Sequence, residues 1–129
     1  MKFWIRNRPE HVPEAGNRLA RACAGAGLDP MGCYQAQVCV VEAINNAIQH
    51  AYRDHDGYIG LRWSVCGGRI VIEVVDQGAS MATPVAADPP DPMQENGRGW
   101  YIIRQWMDEA DYRRRGNENV LTMVKHLTR

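Results

Sequence analysis

The sequence predicts one α+β domain, a two-layer sandwich in which helices cover one face of a mixed, mostly antiparallel sheet. Three observations support this prediction. The chain has 129 residues, the length of one ordinary domain. Apolar residues recur at helical spacing in its first half. Its second half contains two pairs of β-rich segments, each joined by a glycine-containing turn.

The first half is expected to contain one short strand and two helices. Residues 3–6 are aromatic and precede a proline, which is typical of a strand at the edge of a sheet. A helix is predicted to open at Pro13 and to end at the glycines of residues 25–27. A longer helix is predicted to follow the Asp29 cap and to extend to about Tyr52.

The second half is expected to contain two hairpins separated by a long loop and a helix. Gly67 and Gly68 favour a tight hairpin turn because glycine readily adopts positive φ values. Residues 77–96 have no periodicity and contain four prolines, so we expect a functional loop such as a lid. The predicted order is strands 58–66 and 69–75, the loop 77–96, helix 100–107, and strands 111–115 and 119–127.

Composition excludes several classes of protein. Lys and Arg total 15, Asp and Glu also total 15, and the formal net charge is zero, so neither nucleic acid nor a membrane surface is an expected partner. No segment approaches the roughly 18 apolar residues of a membrane span, which predicts a cytoplasmic protein. The four cysteines form no C-x-x-C pair, and we expect them to be small buried hydrophobes.

The second predicted helix has a polar face that can carry chemistry. Glu42, Asn46 and His50 follow one another at intervals of four residues, opposite an apolar stripe. A glutamate in this position can take a proton from a hydroxyl, and an asparagine oxygen can bind Mg²⁺. On spacing alone, a solvated polar face remains the alternative.

Two further segments carry weaker signals. Asp76 and Gly78 follow an apolar strand, where a carboxylate can accept a hydrogen bond from an exocyclic amine and glycine lets a flat ligand approach; an ordinary turn is the alternative. Gly97, Arg98 and Gly99 open a helix, where free N–H groups and a cationic side chain can bind phosphate; a flexible hinge is the alternative.

In this order the three segments resemble the GHKL, or Bergerat-fold, ATP-binding domain. Residues 42–52 resemble its N-box, residues 76–78 its first glycine box and residues 97–99 its second. Within that superfamily the chain is similar to the small anti-sigma-factor serine kinases of bacterial partner switching. The likeness extends through residues 97–109 and the final segment 124–127.

The resemblance implies roles for individual residues. Asn46 would hold the Mg²⁺ that bridges the phosphates of ATP, and Glu42 would act as the base for the attacking serine hydroxyl. Asp76 would bind the adenine amine, while Gly97 and Gly99 would cradle phosphate. Phosphoryl transfer needs mainly positioning and charge neutralisation, which such a set can supply.

The chain departs from the family pattern at two places. Ser80 occupies the second glycine position of the first glycine box. Many relatives open the last strand with Gly-Thr, whereas this chain has Glu118-Asn119 there, and Asn119 is expected to serve as the hydrogen-bonding group.

The resemblance implies an anti-sigma factor that is also an ATP-dependent serine kinase. Its partners would be a sigma factor and a STAS-domain anti-anti-sigma protein, and it would form a homodimer. Two alternatives stay open: a nucleotide-gated binding module without kinase activity, and a partner-switching kinase whose target is not a sigma factor.

Overall fold

Five strands form one sheet, and three helices pack against it, in a computed structural model that describes residues 2–52, 56–78 and 98–127. The predicted lid therefore lies almost entirely outside the described residues, as do Ser80 and Gly97. The elements are β1 (Lys2–Arg6), α1 (Val12–Gly25), α2 (Pro30–Asn46), β2 (Tyr58–Cys66), β3 (Arg69–Asp76), α3 (Arg98–Trp106), β4 (Glu109–Arg115) and β5 (Glu118–His126). This arrangement confirms the predicted α+β class and the predicted order of elements.

The sheet has the strand order β1-β2-β3-β5-β4, and all four described pairings are antiparallel. β1 is an edge strand, as its sequence predicts. The register places Ile59 opposite Asp76 and Asp76 opposite Asn119. Two polar residues therefore lie side by side at the end of the central strands.

Alternate residues of the central strands build the hydrophobic core. Ile72 and Val74 on β3, with Met123 on β5, are buried together with Leu19 of α1 and Ile44 of α2. This alternation is the pattern of a sheet with one covered face, because successive side chains point to opposite sides. The helices thus occupy a single layer.

The long second helix starts as predicted but ends earlier than predicted. The side chain of Asp29 caps α2 by accepting a hydrogen bond from the N–H of Gly32 (3.0 Å). The α-helical pattern ends at Asn46, and Ala47–Ala51 form one π-helical turn. The Tyr52 N–H donates to the carbonyl of Ala47, five residues earlier, at 3.2 Å. Such wide turns are frequently found at functional sites.

Tyr52 joins this turn to the sheet. Its hydroxyl donates to the carbonyl of Tyr58 (2.8 Å) and accepts from the N–H of Gln77 (2.6 Å). Burial raises the pKa of the Tyr52 phenol, so the group stays protonated at neutral pH. A Cβ on Gly57 would overlap the Tyr52 ring, which explains glycine at that position.

The expectation that all four cysteines are buried is wrong for Cys66. Cys23 of α1 and Cys39 of α2 are fully buried and Cys33 of α2 is half-buried, but Cys66 is exposed. Cys66 is the last residue of β2, beside the Gly67-Gly68 turn, where few residues are available to cover it. All four thiols are free.

Among the helices of the described residues, none is both long enough and apolar enough to cross a membrane.

The thiols should differ sharply in reactivity. Because burial raises the pKa of Cys23 and of Cys39 to about 12, neither forms the nucleophilic thiolate at pH 8. We expect Ellman's reagent to label Cys66 rapidly in the native protein and all four thiols in denaturant. Cys66→Ser should abolish the rapid phase, and a rapid phase that persisted in this variant would contradict the assignment.

The Tyr52 hydroxyl should contribute to stability. Tyr52→Phe removes one acceptor and one donor from two backbone groups in a buried region, which costs about 1–3 kcal/mol. Urea unfolding followed by circular dichroism measures the loss. Tyr58→Phe is the matched control, since that ring is 52% exposed, and it should unfold at the wild-type midpoint.

Candidate functional site

Glu42 and Asn46 lie one turn apart on α2 and face the first turn of α3. Both are half-buried. A Cβ on Gly99 would lie 2.9 Å from Oε2 of Glu42 and 3.1 Å from Nδ2 of Asn46. Real Cβ atoms almost never approach other atoms so closely, so glycine allows α3 to contact this part of α2. Three of the predicted site residues are therefore brought together.

Asn46 has an unusual polar atom. Among the described residues, its Nδ2 is the one buried side-chain nitrogen or oxygen without a hydrogen-bond partner. Leaving such a group unsatisfied costs about 1–3 kcal/mol, and native proteins rarely retain it without a reason. A carboxamide presents a donor at one end and an acceptor at the other, so Asn46 can bind a phosphate oxygen or a cation. A ligand at this position would satisfy it.

Asp76 ends β3 in a nearly closed environment. It is only 3% exposed. Its Oδ1 accepts hydrogen bonds from the N–H of Gly78 (2.9 Å) and from Nδ2 of Asn119 (2.7 Å). Burial raises the pKa of Asp76, while the bonds from Asn119 and Gly78 and the positive charge of Arg114 act in the opposite direction. Both bonds described among these residues end on Oδ1, which leaves Oδ2 as the acceptor for a ligand.

Asn119 is the hydrogen-bonding residue expected at the start of β5. It is fully buried, and its Nδ2 also donates to the carbonyl of Gly78 (3.1 Å). Nη1 of Arg114 donates to Oδ1 of Asn119 (3.0 Å) and to the Gly78 carbonyl (2.8 Å). Sequence reasoning missed Arg114 because three arginines follow one another in residues 113–115. Only the register, which pairs Arg114 with Asn119, selects the arginine that bonds to Asn119 and to the Gly78 carbonyl.

The position of α3 is held at its far end as well. Lys125 of β5 is buried, and its Nζ donates to Oε1 of Gln35 on α2 (2.8 Å) and to the carbonyl of Trp106 at the end of α3. A cation at a helix C-terminus is favoured by the helix dipole. Trp100 is buried, as expected for a core residue, and contacts the ring of Tyr112. These contacts orient α3 so that Gly99 meets α2.

The remaining predicted residues divide between described and undescribed parts of the chain. Gly78 lies in the Asp76 group and is buried. Arg98 begins α3, which places the free N–H groups of a helix N-terminus beside Gly99. Gly97 lies outside the described residues, and so does the side chain of His50.

The two groups are connected through Tyr52. Asn46 ends α2, the π-helical turn follows, and the Tyr52 hydroxyl binds the N–H of Gln77, next to Asp76. The first group offers a carboxylate, an amide and helix N–H donors; the second offers one carboxylate oxygen. Such a combination can bind an anionic group at one end and a hydrogen-bond donor at the other.

Comparison with known proteins identifies the family to which this chain belongs. Residues 5–125 match the family model described as "Histidine kinase-like ATPase domain". This match includes every residue of both groups, and a kinase or ATPase domain of this kind binds ATP.

Several characterised relatives have similar sequences. Serine-protein kinase RsbW of Bacillus pumilus is 31% identical, with 95% of this chain and 82% of the relative covered. Anti-sigma F factor of Clostridium botulinum is 31% identical over 74% of this chain and 72% of the relative. Serine/threonine-protein kinase BtrW of Bordetella bronchiseptica is 30% identical over 69% of this chain and 67% of the relative.

Solved structures support the fold. The histidine kinase domain of the Erythrobacter litoralis EL346 blue-light activated histidine kinase superposes with a TM-score of 0.61 at 22% identity, over 90% of this chain and 61% of that one. The Acinetobacter baumannii histidine kinase AdeS gives a TM-score of 0.56 at 15% identity over 98% of this chain and 68% of that one. With the match over residues 5–125 and relatives at about 30% identity, the chain belongs to the histidine kinase-like ATPase family, in the group of serine-protein kinase RsbW and anti-sigma F factor.

Proposed function

We propose that this protein is an anti-sigma factor and a serine-protein kinase that uses Mg-ATP. It sequesters a sigma factor and phosphorylates a STAS-domain anti-anti-sigma protein on serine. The observation that carries the proposal is the buried, unpartnered Nδ2 of Asn46 beside Glu42 and Gly99. Such a site fits a phosphate group with its cation better than it fits a merely structural role.

ATP would span the two groups of site residues. The adenine amine donates to Oδ2 of Asp76, whose other oxygen is already occupied. The phosphates would bind at the start of α3, where the N–H groups of the helix N-terminus are free, and Arg98 is proposed to add positive charge there. Asn46 fits Mg²⁺ through its amide oxygen, and the bound cation would neutralise phosphate charge.

Glu42 is the proposed catalytic base. It lies one turn before Asn46 and touches the same glycine, so it borders the position proposed for the phosphates. Glu42 takes the proton of the attacking serine hydroxyl as its oxygen bonds to the γ-phosphorus. The bond from that phosphorus to the bridging oxygen breaks, and ADP leaves with the electron pair.

The proposed partners come from the relatives, whose names include an anti-sigma factor and serine-protein kinases. Phosphate on the antagonist adds negative charge at its docking surface, so the phosphorylated antagonist dissociates. The antagonist without phosphate competes with the sigma factor. We also propose a homodimer, for which the edge strand β1 is a candidate surface, and a cytoplasmic location.

Two departures from the family pattern favour a second candidate function. Ser80 replaces the second glycine of the first glycine box, and Asn119 replaces the family threonine. These departures are compatible with a module that binds nucleotide and a partner without transferring phosphate. A kinase acting on a partner other than a sigma-factor antagonist is the third candidate. Phosphate incorporation into a STAS protein separates the first candidate from the other two.

Asn46→Ala and Asp76→Ala should each weaken Mg-ATP binding at least tenfold, since each removes a polar contact to the nucleotide in a desolvated site. Isothermal titration calorimetry of the wild type and both variants measures the effect. Asn17→Ala is the matched control, because Asn17 is exposed on α1 and hydrogen-bonds to Gln37. A folded wild type that bound no Mg-ATP would refute the proposed site.

Glu42→Gln should bind Mg-ATP with near wild-type affinity but transfer phosphate about 10²–10⁴-fold more slowly, because the amide cannot accept the serine proton. The readout is single-turnover transfer from radiolabelled ATP to a STAS protein. Glu14→Gln, on the exposed face of α1 beside Arg18, is the control. Unchanged transfer by Glu42→Gln would show that another group is the base.

A further inference from the structure

Arg114 and Asn119 form a chain of hydrogen bonds that ends on Asp76. Nη1 of Arg114 donates to Oδ1 of Asn119, and Nδ2 of Asn119 donates to Oδ1 of Asp76. We propose that Arg114 is a positioning residue that determines base selectivity: it orients Asn119 so that Asp76 accepts only a purine with an amine at ring position 6. This inference rests on the proposed nucleotide site and identifies the residues that determine which base it accepts.

The orientation of the Asn119 amide follows from the partners at its two ends. A guanidinium has only donors, so the amide oxygen must face Arg114. The nitrogen then faces two acceptors, the carboxylate of Asp76 and the carbonyl of Gly78. With the amide reversed, donors would oppose donors at Arg114 and acceptors would oppose acceptors at Asp76. Arg114 therefore stabilises one of the two amide orientations.

The amide orientation determines which oxygen of Asp76 stays available to a ligand. Its Oδ1 accepts from Asn119 at 2.7 Å and from the Gly78 N–H at 2.9 Å, so both of its lone-pair directions are used. Oδ2 is left to meet the base. An exocyclic amine donates to it, whereas a carbonyl oxygen at the same ring position would place lone pairs against a carboxylate. The site thus accepts adenine and rejects a base with an oxo group there.

Arg114 is also suited to keep Asp76 ionised. Burial raises the pKa of this carboxyl, and the nearby guanidinium, together with the bonds from Asn119 and Gly78, limits that rise. The carboxylate form has no proton to donate, so it discriminates most strongly against an oxo group. Arg113 and Arg115 have other partners, since Arg113 pairs with Asp111 and Arg115 pairs with Glu73.

The test compares ATP with inosine triphosphate, in which an oxo group replaces the amine. Wild type should bind ATP about 10- to 100-fold more tightly, the usual effect of one hydrogen bond to a charged group. Arg114→Met keeps the aliphatic stem and removes the donors, so the affinity ratio should fall roughly tenfold. Arg114→Lys, which restores a cationic donor, should recover part of the ratio. Arg113→Met, one residue away on the opposite face of β4, should leave it unchanged.

A second comparison tests whether Arg114 acts through Asn119. In an Asn119→Ala background, Arg114→Met should change the ATP-to-inosine triphosphate ratio much less than it does in the wild type, because the amide that it orients is absent and only the direct effect of its charge on Asp76 remains. An equal, additive change in that background would overturn the proposed chain of action. Arg114 is exposed apart from its bonded end, so the single variants should fold, and a thermal melt checks each protein.

The two proposals fail in different ways. A wild-type protein that binds neither nucleotide refutes the nucleotide site, and the selectivity device with it. A wild type that prefers ATP, with Arg114→Met weakening ATP and inosine triphosphate equally, refutes the selectivity device alone. A purely structural role of Arg114 gives this second result, because loss of rigidity affects both ligands alike.

Discussion

The approach of α3 to α2 at Gly99 is the contact on which the site depends. A Cβ at that position would lie 2.9 Å from Oε2 of Glu42 and 3.1 Å from Nδ2 of Asn46, so any side chain there would push against both polar groups. The approach is maintained at the other end of α3, where buried Lys125 connects the Trp106 carbonyl to Gln35 of α2. Burial of Ile103 and Ile44 between these ends holds the two helices together. The phosphate end of the site is thus a product of helix packing.

The other end of the site is a polar cluster at the end of an apolar sheet face. Asp76 and Asn119 are buried neighbours on β3 and β5, in line with Val74, Leu121 and further core residues of the same face. Burying a carboxylate is unfavourable unless hydrogen bonds replace water. Here the N–H of Gly78 and Nδ2 of Asn119 provide that replacement on one oxygen, and Arg114 donates to the amide oxygen of Asn119 behind it. The cost of desolvation is thereby limited while one acceptor stays available.

The chain keeps the family pattern where the phosphates are proposed to bind and departs from it where the adenine is proposed to bind. Glu42, Asn46 and the glycines of residues 97–99 resemble the N-box and the second glycine box, and sequence identity to related serine-protein kinases is about 30% over most of the chain. The differences are Ser80 and Asn119. We therefore expect the phosphoryl-transfer chemistry to be that of the relatives. The contact to the nucleotide base differs, because an amide and a guanidinium act together there.

The sequence by itself determined the order of elements, the edge position of β1, the Asp29 cap and the pairing of Glu42 with Asn46. These features depend on periodicity and on turn or cap residues within a few positions, so local reading suffices. The tertiary structure alone decided the π-helical turn after Asn46, the double role of the Tyr52 hydroxyl, the choice of Arg114 and the exposure of Cys66. Each of these depends on which residues of separate segments become neighbours. Asp76 and Asn119 are 43 positions apart in the chain, and only the packing and register of β3 and β5 place them side by side.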